Sequence, residues 1–312
     1  MSNNNQWTSE NIPDQSGRVA IVTGANSGIG YETARALAHK GATVIMACRS
    51  VEKGQVAAHK IQDEDPQGTV AVMALDLANL SSVRDFAEGF KREFQRLDLL
   101  INNAGVMMLP DYTKTADGFE MQFGTNHLGH FALTGLLLET ISRTPGARVV
   151  MVSSTAERFG RMNFDNLNAE QSYDKQAAYG QSKLANLLFT AELQRRFEAA
   201  SMDAIAVAAH PGWTTTNLQR HTRLRLLNPI FAQGPEMGAL PSLYAATSPD
   251  VRGGDYFGPG GFMQMRGYPT KVKPTDRSKD EADAKKLWEV SEELTGITFN
   301  WPEREPASAQ IM

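Results

Sequence analysis

Short apolar runs alternate along this chain with stretches whose apolar residues recur every three or four positions. Residues 18–23 (RVAIVT) read as an apolar strand, and 28–40 then place Ile29, Thr33 and Leu37 on one helical face. The alternation continues with strands over 42–48, 69–75, 97–102, 147–153 and 202–210. Helices are predicted over 51–63, 80–94, 119–142 and 176–199, with Thr144-Pro145-Gly146 as the stop of 119–142. Strands separated by helices of this length need crossover connections, so the expected fold class is α/β, a doubly wound parallel sheet with helices on both faces. The near-continuous apolar strands VAIVT and VVMVS suit a sheet buried on both sides.

Beyond His210 the pattern loosens. Residues 211–234 mix basic and apolar positions without a period. Residues 253–261 (GGDYFGPGG) predict a last short strand and a glycine-rich turn, and 278–294 a charged amphipathic helix. Residues 1–17 are a polar, Asn-rich lead-in, and 301–312 a tail. No linker or repeat divides residues 18–312, which predicts one domain with a variable segment at about 213–275.

Composition narrows the function. The chain has 312 residues, 41% hydrophobic and 21% charged, as expected of a globular protein. A net charge of -4 without a basic cluster argues against a nucleic-acid partner. No apolar run approaches the ~20 residues that span a bilayer, so no membrane anchor is expected. The lone cysteine, Cys48, excludes an internal disulfide and fits a reducing compartment, and the expected localisation is cytoplasmic. The six histidines show no metal-ligand spacing, and no metal is expected.

Two local patterns carry chemistry. The first strand runs into Thr23-Gly24-Ala25-Asn26-Ser27-Gly28-Ile29-Gly30. Glycines between a strand and a helix let the backbone turn tightly and approach a diphosphate, and the helix N-terminus offers free N–H groups. In an α/β series this is a Rossmann-type dinucleotide loop, here spaced Gly-x-x-x-Gly-x-Gly. About 20 residues on, where an acid usually binds the adenosine ribose, the chain reads Ala47-Cys48-Arg49-Ser50. Cys48 holds the acid's position, and Arg49 can pair with a 2′-phosphate. That favours NADP(H) over NAD(H).

The second pattern is Tyr179-Gly180-Gln181-Ser182-Lys183. Tyr179 and Lys183, four apart on a helix, share a face. A free phenol titrates near ~10, and bringing it close to neutrality takes roughly 4 kcal/mol. A cation at ~4 Å in a medium of effective dielectric ~20 supplies about that much. The pair is therefore expected to be a proton donor tuned downward.

With loop and pair in place, the chain strongly resembles the short-chain dehydrogenase/reductase family over about 18–294. TGANSGIG resembles the family's cofactor loop, with Gly24, Asn26, Ser27, Gly28, Ile29 and Gly30 as implied contacts. The resemblance also implies cofactor contacts from Arg49, Ser50, Asp76 and Leu77 after the second and third strands. Asn103, Ala104 and Gly105 of the NNAG segment, then Pro211, Gly212, Thr214 and Thr216 after the sixth strand, complete that set, with Tyr179 and Lys183. TNHLGH carries the implied active-site Asn126, expected at a helix distortion that holds a relay water. Ser154 is the implied partner of the substrate oxygen, and Tyr179 and Lys183 close a tetrad. Ser153 stays open as the serine if the strand register shifts by one, and Asn126 as a helix cap. ACRS, TNHLGHF and YGQSKLANLLFTAEL look like the retinol dehydrogenase branch. The ending KKLWEVSEELTG is also similar to protochlorophyllide reductases. Trp213 stands where those enzymes carry a cysteine after Pro-Gly.

The reaction implied is hydride transfer between a nicotinamide and a small-molecule carbonyl or alcohol, with Tyr179 as general acid/base. Alternatives are a protochlorophyllide-type double-bond reductase and a non-catalytic NADP(H)-sensing scaffold. The substrate pocket is expected from 106–113, 155–174 and 213–234. Met107, Met108, Leu109, Phe159, Trp213, Leu226, Leu227 and Phe231 point to an apolar substrate. A homodimer and a monomer are both open.

Overall fold

Eight strands form one sheet in the computed structural model, which describes residues 6–215 and 232–302. They are β1 (Val19–Thr23), β2 (Thr43–Cys48), β3 (Thr69–Ala74), β4 (Leu99–Asn102), β5 (Ala147–Val152), β6 (Ala204–Ala209), β7 (Tyr256–Pro259) and β8 (Pro269–Lys271). The order is β3-β2-β1-β4-β5-β6-β7-β8. All neighbours pair in parallel except β8, which returns antiparallel to β7. The order in which the chain adds strands reverses between β1 and β4, the switch point beyond whose strand C-termini open α/β sheets bind their ligands.

Helices α1 (Gly28–His39), α2 (Val51–Gln62) and α6 (Pro235–Thr247) cover one face. On the other face lie α3 (Leu80–Glu93), α4 (residues 121–142) and α5 (Lys175–Ala199). The strand period of two sets this division. Val19 and Ile21 pack with Phe86, Phe90, Phe131 and Phe189, while Ala20 and Val22 pack with Leu37, Ile61 and Leu243. Helix α7 (Glu281–Thr295) lays Trp288 on α5, with its ring 5.6 Å from Phe189 and 4.4 Å from Phe299.

Helix α6 and the antiparallel β8, which follows the predicted last strand, have no counterpart among the elements expected, while the helix distortion expected at Asn126 is present. The long helix starts at Met121 and is not continuous. A π-segment, Gly124–Leu128, separates its first turn from Gly129–Leu136, and Leu138–Ser142 follows. Helix α6 has no amphipathic period because nearly every side is buried. Its small residues pack against the sheet, and Pro235 opens it in the position where a missing N–H costs nothing.

Candidate active site

The glycine loop fits a diphosphate for identifiable reasons. Gly24 (φ +70°) and Gly28 (φ +59°) take left-handed backbone. A Cβ on Gly30 would sit 2.5 Å from the Gly24 oxygen and 2.6 Å from Asn103 Nδ2, so α1 can start here only with glycine. Ser27 precedes α1 without a side-chain cap bond, leaving the first N–H groups of the helix to a ligand. Asn26 is half-buried, Ser27 exposed and Ile29 packed inward.

The end of β2 divides its labour. Cys48 is buried beneath the loop, where the N–H groups of Ala25 and Asn26 bond to it, and burial pushes its thiol up to about 11. It supports the loop rather than facing a ribose. Arg49 is exposed and makes no hydrogen bond or ion pair with a described residue. Ser50 caps α2: its Oγ accepts from Lys53 N–H (3.3 Å) and donates to Glu52 (2.9 Å). Asp76 turns one carboxylate oxygen to Ala78 N–H (3.0 Å). The Leu77 carbonyl approaches α4 at Gly129, where a Cβ would lie 2.4 Å away.

The end of β4 meets the π-segment. Asn103 and Ala104 N–H groups both donate to Thr23 Oγ1 at 2.9 Å, and Asn103 Nδ2 donates to the Thr23 carbonyl at 2.8 Å. Gly105 follows so closely that a Cβ would stand 3.0 Å from Asn126 Oδ1 and 3.6 Å from Lys183 Nζ. Asn126 is fully buried and clamps Val106 at both backbone groups, accepting from its N–H (2.8 Å) and donating to its oxygen (2.9 Å). Asn126 Nδ2 also donates to Ser182 Oγ (3.0 Å), which donates to the Tyr179 carbonyl (2.8 Å). The side chain therefore ties α4 to the β4 loop and to α5, and is not a helix cap.

Asp174 starts α5 by accepting from Gln176 and Ala177 N–H groups at 3.0 and 2.7 Å, worth about 1 kcal/mol. One turn on, Tyr179 and Lys183 are 7% and 4% exposed. Lys183 Nζ donates to the Val152 carbonyl (3.1 Å) and lies 5.7 Å from the Tyr179 ring centre. Burial overrides the downward tuning expected for the phenol. Tyr179 is pushed up to about 12, with the Ser154 hydroxyl pulling the other way, and Lys183 is pushed down to about 8. The two serines after β5 separate cleanly. Ser153 is buried and donates to the Lys183 carbonyl (2.8 Å), whereas Ser154 stands beside the phenol and caps the turn Thr155–Arg158.

After β6, Gly212 (φ +65°) passes so near Met265 that a Cβ would sit 2.4 Å from its oxygen. The Pro211 carbonyl accepts from Thr214 Oγ1 (2.8 Å) and Gln233 Nε2 (2.9 Å). Thr216, Leu226, Leu227 and Phe231 lie outside the described residues. Two of the three substrate stretches meet. Tyr112 OH donates to the Asn168 carbonyl (3.0 Å) and Tyr173 OH to the Leu109 carbonyl (2.8 Å). Gln122, absent from the sequence reading, accepts from Met108 N–H (2.6 Å) and holds Met108 at φ +49°. Phe159 is 51% exposed, and Trp213 is half-buried.

The profile of the short chain dehydrogenase family matches residues 18–226. The chain belongs to that family. Mouse retinol dehydrogenase 14 is 45% identical over 301 residues, covering 90% of this chain and 86% of its own. Human retinol dehydrogenase 12 is 46% identical over 290 residues, covering 91% and 88%. A crystal structure of an uncharacterized protein from Mycobacterium paratuberculosis superposes with a TM-score of 0.81 at 46% identity, over 95% of this chain and 99% of that one. These relatives place the chain in the retinol dehydrogenase-like branch. The family consists of oxidoreductases that transfer hydride at CH–OH groups with a nicotinamide dinucleotide. No helix among the described residues is long and apolar enough to cross a membrane.

Proposed function

We propose that this short-chain dehydrogenase interconverts an apolar ketone or aldehyde and its alcohol with NADP(H), using Tyr179 as the general acid/base. The observation that carries the reading is the placement of Tyr179, Ser154, Lys183 and Asn126 around the end of β4, beside the glycine loop. When bound, the dinucleotide supplies or takes up the hydride, and its oxidised ring brings positive charge. Gly24 to Gly30 and the start of α1 hold its diphosphate. Arg49, exposed and without a partner among the described residues, holds a 2′-phosphate. Ser154 donates to the substrate oxygen as negative charge grows there. Tyr179, held protonated by burial, passes its proton to that oxygen. Lys183 lies within the same buried site to favour the phenolate that remains. Asn126 fixes Val106 and α5 so that these groups keep their spacing. Met107, Met108, Leu109, Phe159 and Trp213 favour an apolar substrate, and the retinol dehydrogenase names of the relatives point the same way.

The test is a panel of carbonyls and alcohols run with NADPH/NADP and NADH/NAD, with Tyr179→Phe alongside. Turnover is expected to fall by roughly 10²–10⁴-fold in the variant while NADPH still binds. Full turnover in Tyr179→Phe would remove the phenol from the mechanism. A preference for small charged ketones would remove the apolar substrate.

A further inference from the structure

His130, one turn beyond Asn126 on α4, is fully buried, and its imidazole makes two polar contacts. Its Nδ1 lies 3.0 Å from the Asn126 carbonyl oxygen, and its Nε2 lies 3.0 Å from Thr23 Oγ1. A carbonyl can only accept, so Nδ1 must carry a proton. Burial pushes this imidazole down to about 4, so the ring is neutral near pH 7 and Nε2 offers a lone pair. The Thr23 hydroxyl then donates to Nε2 at 3.0 Å, the shorter of its two acceptor distances, the other being the Ile101 carbonyl at 3.4 Å. The hydroxyl oxygen's own accepting positions are taken by Asn103 and Ala104 N–H, each at 2.9 Å. Each group in the chain thus has a single role, and the bonds run one way. They lead from the Asn103–Ala104 amides through Thr23 and the imidazole to the Asn126 carbonyl.

The same loop is held at its far end by the Asn126 side chain on Val106. We infer that His130, as the neutral Nδ1–H tautomer, is a positioning residue that locks residues 103–106 and the π-segment into one register. It acts through Thr23 on the dinucleotide side and through Asn126 on the proton-transfer side. The inference rests on the site reading proposed above, because it takes residues 103–106 to face the nicotinamide.

The two halves can be separated. In His130→Asn the amide nitrogen replaces Nδ1 and the acceptor for Thr23 is lost. In His130→Gln the side-chain oxygen reaches the place of Nε2 and the donor to Asn126 is lost. Losing one such bond corresponds to roughly tenfold. His130→Asn is expected to weaken NADPH binding, read by fluorescence titration, about tenfold more than it lowers kcat. His130→Gln is expected to reverse that order. Thr23→Val should reproduce His130→Asn, and Thr23→Ser should restore binding. Equal losses of Kd and kcat in both histidine variants would mean a packing defect and would overturn the inference.

A second measurement needs no folded variant. Imidazole ¹⁵N shifts of the wild-type protein should show His130 as a neutral Nδ1–H ring between pH 5.5 and 8. An Nε2–H tautomer, or a ring that protonates in that range, would overturn it. Neither the shifts nor NADPH binding requires turnover. Failure of the proposed carbonyl chemistry would therefore be distinguishable from failure of the His130 assignment.

Discussion

Replacing Lys183 with methionine should stabilise the fold while removing its catalysis. The ammonium is buried with a single hydrogen bond among the described residues, to the Val152 carbonyl at 3.1 Å. Burial alone pushes it from 10.5 down to about 8, with no opposing charge to offset it. A shift of that size costs the folded state about 3 kcal/mol where lysine is charged in both states. Methionine gives up the hydrogen bond, worth about 1 kcal/mol. Val152 still accepts from Asn186 Nδ2 at 3.2 Å, so its oxygen is not orphaned. The net expectation is a gain of about 2 kcal/mol at pH 7. The sign reverses the common surface case. The folded pKa lies below the unfolded one, so the penalty is complete below the folded value and fades as pH rises toward the unfolded value. At pH 9.5 about 1 kcal/mol of penalty remains, which the lost hydrogen bond cancels. Urea unfolding of both proteins at pH 7 and pH 9.5, without dinucleotide, measures this directly. A variant less stable than wild type at pH 7, or a difference that does not change with pH, would refute the reasoning. Turnover should be lost at both pH values.

Two further substitutions probe the site. Ser154→Ala should lower kcat by about 10²-fold by removing the donor to the developing oxyanion. Ser153→Ala, which loses the bond to the Lys183 carbonyl, should cost about 1 kcal/mol in urea unfolding. Equal kinetic losses in the two variants would show that the serines had been told apart wrongly. Arg49→Glu should raise KM for NADPH by roughly 10–100-fold, the size of a lost charge-assisted bond, and change KM for NADH far less. An unchanged ratio of the two values would exclude Arg49 from 2′-phosphate recognition.

Local patterns made much of the protein legible before any coordinates. The apolar runs VAIVT and VVMVS announced buried parallel strands because their period and length are properties of the strand itself. The glycine loop was legible because left-handed turns and close approaches leave glycine as the residue that fits. Tyr179 and Lys183 declared a common helical face through their spacing. What depends on partners distant in sequence was not legible. A distortion at Asn126 was expected from the family resemblance, but its anchor on Val106, 20 residues earlier, was not. Cys48 occupies the expected ribose position in sequence, yet its sulfur faces the loop beneath Ala25 and Asn26. Helix α6 hid because burial on nearly every side erases amphipathic contrast.

By itself, then, the sequence determined the first six strands and the helices between them, the glycine loop and the shared face of Tyr179 and Lys183, since each follows from backbone preference and short-range spacing. Tertiary structure decided which serine faces the phenol and where the sulfur of Cys48 points. It also decided how the Tyr179–Lys183 pair is charged. Spacing along a helix promised a cation that lowers a phenol. Packing removed water from both groups, and that desolvation, which depends on the whole surrounding fold, raises the phenol and lowers the ammonium instead.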